Sequence, residues 1–214
     1  KINFSISENQ TVALLGPNGC GKTTTIAMIL GLITPTSGSI TINNKILTNN
    51  HHYLSKMNFA SPYVELPKKL KVIENLKVYA MMYEVPNAKA KIEQLVEELN
   101  LAPILYKKTG ELSSGQRNRV SLAKSIINDP KILLLDEPTA SLDPDTGDFI
   151  RTFLETYKKK NSMAILLASH NMDEVTRLSD YVLMMKEGSI IDEGTTDELI
   201  KKHGRHDLEE VFLK

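Results

Sequence analysis

Two stretches carry residues able to hold and cleave a nucleoside triphosphate: GPNGCGKTT at 16 to 24, and ILLLDEP at 132 to 138. The first fits the pattern G-x-x-x-x-G-K-[ST], and it stands after an apolar run and before a helical one, where such a loop is needed. Gly16, Gly19 and Gly21 lack a Cβ, so the backbone of Asn18, Gly19, Cys20, Gly21, Lys22, Thr23 and Thr24 can close around phosphate oxygens. Lys22 would reach the β and γ oxygens, and the Thr23 hydroxyl would ligate Mg²⁺. The second stretch ends an apolar strand in two carboxylates. Asp136 would face the magnesium site, while Glu137 points elsewhere and could polarise a water for in-line attack on the γ-phosphate.

His170 follows the apolar run MAILLAS and comes level with Gly16 and Asp136 if the strands are parallel. There it could donate to a γ-phosphate, or serve only as a helix-entry residue. ELSSGQRNRVSLAKSI, 111 to 126, raises a separate question, because its Ser-Ser-Gly turn opens an amphipathic helix near residue 113. The free N–H groups of a helix start bind anions, yet one nucleotide does not need two such cradles from one chain. Cys20, inside the glycine loop and close to a helix start, is expected to have a thiol whose alkylation MgATP slows.

The elements that must position these groups alternate. INFSI and TVALLG read as a strand pair around the turn SENQ, and a helix runs from Lys22 to about Leu32. SITINNKI gives a hairpin with an Asn-Asn turn. From Pro62 to Thr109 the pattern turns helical: Ile73, Leu76, Tyr79, Ala80 and Tyr83, then Ile92, Leu95, Val96 and Leu99 after an Asn87 cap. Met81 and Met82 read there as core packing. KILLLD, PDTGDFIRTFLETYKKK, MAILLAS, MDEVTRLS and YVLMMK then alternate strand and helix, with Lys158 to Lys160 as a solvated helix end. The expectation is an α/β fold with a mostly parallel sheet, antiparallel hairpins and an inserted helical sub-domain. The core would span 1–61 and 110–214, the sub-domain 62–109.

With 214 residues, 41% of them hydrophobic, the chain can bury a core of this size. Its 26 basic and 26 acidic residues balance, so no nucleic acid is expected as a partner. No apolar run approaches the roughly 20 residues of a membrane-spanning helix. A single cysteine excludes an internal disulfide, and the first residues lack a signal-peptide plan, which together point to a cytoplasmic protein. The sequon at Asn9 is then a chance match.

In this order, GPNGCGKTT, LSSGQ (112 to 116), LLLDEPTASLDP (133 to 144) and ASH (168 to 170) resemble the nucleotide-binding domain of ABC (ATP-binding cassette) proteins, over the whole chain. The resemblance implies a P-loop NTPase core that binds ATP and Mg²⁺ and hydrolyses ATP. It implies head-to-tail pairing with a second such subunit, in which Ser113, Gly115 and Gln116 of one chain close over ATP held by Lys22 and Thr23 of the other. Ser141 to Asp143 would line the seam, Glu137 would be the hydrolytic base, and His170 would contact the γ-phosphate and orient the water. Membrane-spanning transporter subunits would be the further partners, holding the chain on the cytosolic face of a membrane. The closing DLEEVFLK resembles the end of the branch that energises exporters.

Two positions depart from the family pattern. The aromatic residue that stacks on adenine stands in the first strands, some way before the glycine loop, and only fifteen residues precede Gly16 here. The glutamine that reaches the metal in the loop leading to the helical sub-domain is missing from MNFASPYVELPKKL. Ser61 is the nearest polar candidate for the metal shell, or only a loop residue before Pro62. The alternative to transport is an ABC ATPase acting on ribosomes or DNA. A single cassette without a long coiled-coil insertion argues against it.

Overall fold

A computed structural model describes residues 2–47, 51–63 and 65–212 of the chain. Its centre is β1, Thr11–Leu15, an unbroken buried run of the kind a strand covered on both faces requires. β4 (Met57–Ala60), β5 (Ile132–Asp136), β6 (Ala164–Ser169) and β7 (Tyr181–Lys186) join it in parallel, and β8 (Ser189–Gly194) pairs antiparallel to β7. The order is β4-β5-β6-β1-β7-β8. The register sets Leu15 beside Ser169 and Asp136 beside Ala168, so the ends of three strands open on one edge. Ligands of open α/β sheets bind outside that carboxyl edge.

Alternation along β1 divides the core. Ala13 and Leu15 face one cluster, Val12 and Leu14 the other, as a two-residue period demands. The second cluster takes Ile26 of α1, Lys22–Ile29. The first takes α4 (Ser114–Ile126), α5 (Pro144–Asn161) and α6 (Met172–Leu178). Leu76 of α2 (Val72–Met82) and Leu95 of α3 (Ala88–Glu98) belong to that same cluster, so these helices share apolar packing with the sheet. The chain closes with α7, Thr196–His203, and α8, Leu208–Phe212.

The expected first strand, INFSI, is not a strand. Ile2, Phe4 and Ile6 pack on the second cluster at alternate positions, but the segment joins no ladder among the described residues. Its apolar period reflects burial without backbone pairing. The SENQ turn does form, with the Gln10 N–H donating to the Ser7 carbonyl at 3.2 Å. α1 stops at Ile29, three residues early, because Gly31 turns left-handed at φ 72°. The Asn-Asn hairpin is present as β2 (Thr41–Ile42) and β3 (Lys45–Ile46), with Asn43 and Asn44 at φ 50° and 61° as a type I′ turn needs. β4 and β8 had no strong signal in the sequence; β8, half exposed and acidic, is stabilised mainly by its neighbour β7.

Three side-chain expectations are corrected. Met81 and Met82 are 79% and 68% exposed, since the stripe Val72, Leu76, Ala80 defines the buried face of α2 and they fall off it. Lys158 is buried and pairs with Asp180 at 2.8 Å, whereas Lys159 and Lys160 are exposed as expected of a solvated helix end, Lys160 reaching Glu98 at 3.1 Å. Asn87 stands before α3 as expected but makes no side-chain cap bond; its left-handed backbone, φ 52°, turns the chain into the helix.

Candidate functional site

The glycine loop joins β1 to α1. A Cβ on Gly16 would lie 2.5 Å from the Met185 carbonyl and 2.5 Å from the Cys20 Sγ, so any other residue would force the backbone apart. Gly21, at φ 110°, makes the left-handed entry into α1. Lys22 is buried, and its ammonium donates to the carbonyls of Gly16 at 2.6 Å and Pro17 at 3.3 Å. The loop thus curls around its own lysine. Asn18, Gly19 and Thr24 are exposed on it. Cys20 is the exception: its side chain is 4% exposed within the second cluster, and its N–H donates to the Pro17 carbonyl at 3.2 Å. The thiol expected to be nucleotide-sensitive therefore faces the core, and its alkylation should be slow whether or not nucleotide is bound.

Thr23, in the first turn of α1, donates its hydroxyl to Asp136 Oδ2 at 3.0 Å. A sequence separation of 113 closes here into one oxygen pair at the strand edge. Burial pushes the Asp136 carboxyl above its ordinary range, opposed by the Thr23 bond and reinforced by the charge of Glu137. Glu137 leaves the strand at φ 53°, a left-handed conformation that costs a non-glycine residue about 1–3 kcal/mol. This backbone turn sends its side chain away from Asp136 and onto His170. Both the backbone N–H (3.1 Å) and the ring Nδ1 (2.6 Å) of His170 meet Glu137 Oε1. Ser169 donates to Oε2 at 3.4 Å. Glu137 is nearly buried, while the His170 side chain is 55% exposed, so the imidazole forms the open face of the pair.

Ser113 is the N-cap of α4. Its Oγ accepts from the Gln116 N–H at 3.2 Å, and Gln116 Oε1 accepts from the Ser113 N–H at 3.2 Å, a reciprocal capping box. The sequence had marked a helix start at this turn, and the box is what closes it. Gly115 is buried, and a Cβ there would meet Thr146 of α5 at 3.1 Å, so this position also serves helix-to-helix packing. Ser61 follows β4, whose Ala60 pairs with Leu135, so it lies level with Asp136. It is buried, its hydroxyl accepts from the Tyr63 N–H at 3.3 Å, and it lines a small cavity with Asn118, Ser121 and Pro138. Sequence reasoning missed Glu174, which is buried and accepts from the Thr139 hydroxyl at 2.7 Å, because nothing local distinguishes it from a helix-capping acid.

A parallel sheet, a glycine loop with its buried lysine, a Thr–Asp oxygen pair and a Glu–His pair on one strand edge define a nucleotide-cleaving P-loop protein. The family model described as "ABC transporter" matches residues 1–140, and the chain belongs to that family. It is accordingly an ATP-binding subunit of the ABC transporter class and an ATPase.

The chain is 33% identical over 214 residues to the Nod factor export ATP-binding protein I of Burkholderia orbicola (strain AU 1054), covering 99% of this chain and 70% of that one. It is 31% identical over 204 residues to the spermidine/putrescine import ATP-binding protein PotA of Bacillus thuringiensis (strain Al Hakam), covering 94% and 62%. Among solved structures, an ATP binding subunit of an ABC transporter superposes with a TM-score of 0.88 at 27% identity, over 98% of this chain and 89% of the other. The cassette MJ0796, solved as a dimer in a post-hydrolysis state with ADP and Pi, superposes with a TM-score of 0.81 at 25% identity, over 91% and 88%.

Proposed function

We propose that this chain works as one of a head-to-tail pair of ATPase subunits that energise export through separate membrane-spanning subunits. The carrying observation is the convergence of Lys22, Thr23–Asp136 and Glu137–His170 on one sheet edge. ATP phosphates would draw the Lys22 ammonium from the Gly16 and Pro17 carbonyls, along with the loop N–H groups from Asn18 to Thr24. Thr23 and Asp136 fit Mg²⁺, which takes hard oxygen ligands and is usually held by one or two carboxylates together with substrate phosphates. The ion would neutralise phosphate charge.

Glu137 then takes a proton from the attacking water as its oxygen bonds to the γ-phosphorus and the bond to the β-phosphate oxygen breaks. With Nδ1 engaged by Glu137, Nε2 is the ring atom that His170 has left to turn toward the nucleotide. Ser113 and Gln116, with the turn through Gly115, supply the second subunit's cover, and Ser141 to Asp143 the seam between subunits. Support for pairing comes from the dimeric MJ0796 cassette.

No helix among the described residues is long and apolar enough to cross a membrane, so separate membrane subunits would hold the chain at the cytosolic face. Export is supported by the closing DLEEVFLK and by the Nod factor export relative; the import relative sets the competing direction. Purifying the protein from membranes should bring down a membrane-spanning subunit, and vesicles carrying the pair should move cargo away from the ATP-exposed side. Recovery with ribosomes, or movement toward the ATP side, would overturn the corresponding half of the proposal.

Ser61 stands where a metal-sensing glutamine would be expected. Its side chain is shorter by about two bonds, so it would act through a bridging water, which nearly matches a direct hydrogen bond. Ser61→Ala should weaken the magnesium dependence of hydrolysis several-fold, near the ~1 kcal/mol of one hydrogen bond. Titrating turnover against limiting Mg²⁺ checks this. Unchanged turnover would leave Ser61 a loop residue only.

A further inference from the structure

Glu174 is 1% exposed, and the catalytic reading above gives it no task. It occupies the third position of α6, whose N-cap Asn171 accepts from the Glu174 N–H at 3.1 Å. A glutamate at this position ordinarily folds back to the N-cap N–H and completes a capping box. Here it does not. The Asn171 N–H donates instead to the Ser169 Oγ at 3.0 Å, and the Glu174 carboxylate turns inward to accept from the Thr139 hydroxyl at 2.7 Å. Ser169, which accepts that N–H, gives its single hydroxyl proton to Glu137 Oε2 at 3.4 Å.

Thr139 lies between two left-handed non-glycine residues, Glu137 at φ 53° and Ser141 at φ 60°. Strained conformations of this kind persist only where surrounding contacts over-determine them. Asn118 holds the Pro138 carbonyl at 2.6 Å, and Glu174 holds the next residue. Burial pushes the Glu174 carboxyl above its ordinary pKa range, opposed by nearby hydroxyls, Thr139 among them, and by Arg151 of α5, and reinforced by the like charge of Glu137. Burying an acid costs stability unless hydrogen bonds offset it, and here the Thr139 bond does so.

We propose that Glu174 is a positioning residue: by holding the Thr139 hydroxyl it bridges α6 to the turn that aims Glu137, and so ties the 137–143 segment to the helix that follows His170. This rests on the reading of Glu137 as the base. The turn so held presents one oxygen of Glu137 to His170 and the other to Ser169. Without the bridge, the strained Glu137 turn loses a restraint.

The test compares Glu174→Leu, which keeps the volume but removes the bridge, with Glu174→Gln, whose carboxamide oxygen can still accept from the Thr139 hydroxyl. The leucine variant should lose about tenfold or more in kcat with KM for ATP within about twofold, while the glutamine variant stays within about threefold of wild type. Thr139→Val severs the same bridge from the other side and should reproduce the kcat loss, including where the leucine variant folds poorly. Wild-type kcat in Glu174→Leu and Thr139→Val, a glutamine variant as slow as the leucine one, or a loss confined to KM each overturn the proposal. Glu137→Gln measured alongside separates the two readings: near-wild-type turnover there sinks the base assignment, whereas its collapse beside a fully active Glu174→Leu sinks only the bridge.

Discussion

Glu137→Gln is expected to reduce ATP turnover by about 10²–10⁴-fold, the range that a positioned general base contributes, while ATP binding is retained. The substitution keeps Oε1, so the carboxamide still accepts the His170 backbone N–H that the carboxylate accepts at 3.1 Å. It also keeps the chain length at a backbone of φ 53°, so the strain of that turn is unchanged. What is lost is the ability to take a proton from water. Lys22, Thr23 and Asp136 are untouched, so ATP and magnesium should still assemble, and ATP should accumulate in a stabilised dimer. Single-turnover hydrolysis with size-exclusion chromatography in MgATP reads both effects. Turnover near wild type would remove Glu137 from the role of base.

The second large effect is one of complementation. Lys22→Ala alone should abolish turnover, because no other cation of the glycine loop reaches the phosphates. Ser113→Arg alone should do the same, because a bulky cation replaces the small residue that opens α4 toward the partner's nucleotide. Ser113 is exposed, so the substitution disturbs the capping box and not the core; losing an N-cap costs about 0.5–2 kcal/mol. If each site draws on both chains, a heterodimer of the two variants holds one intact site and one doubly defective site. An equal mixture then recovers about a quarter of wild-type turnover, from half the dimers with one of two sites each. A mixture no more active than its components would place each site within one chain.

The signals readable in the sequence were those carried by neighbours along the chain. The glycine pattern before a helix, the apolar run ending in Asp136 and Glu137, the helix start near Ser113 and the Asn43–Asn44 turn are local, and local sterics and hydrogen bonding decide them. Where the same local reasoning met long-range choices it misjudged them. INFSI has the period of a strand, but a strand exists only where a neighbouring edge accepts its backbone. Met81 and Met82 are apolar, yet the helix turned them off the buried stripe. Lys158 belongs to a basic run, and only the approach of Asp180 made its burial tolerable.

The chemistry of the chain, then, was determined by the sequence alone: which residues can cradle phosphate, ligate a metal or accept a proton, and that strands and helices alternate around them. The mutual geometry of those residues was decided by tertiary structure. Thr23 and Asp136 meet across 113 positions, and Glu137 and His170 across 33, because parallel pairing sets the ends of β5, β6 and β1 on one edge. Strand register is a property of the whole sheet, fixed by which faces are buried, and no local window contains it. The same holds for Glu174, whose spacing from Asn171 spells a helix cap and whose carboxylate is instead drawn inward by a hydroxyl 35 residues away.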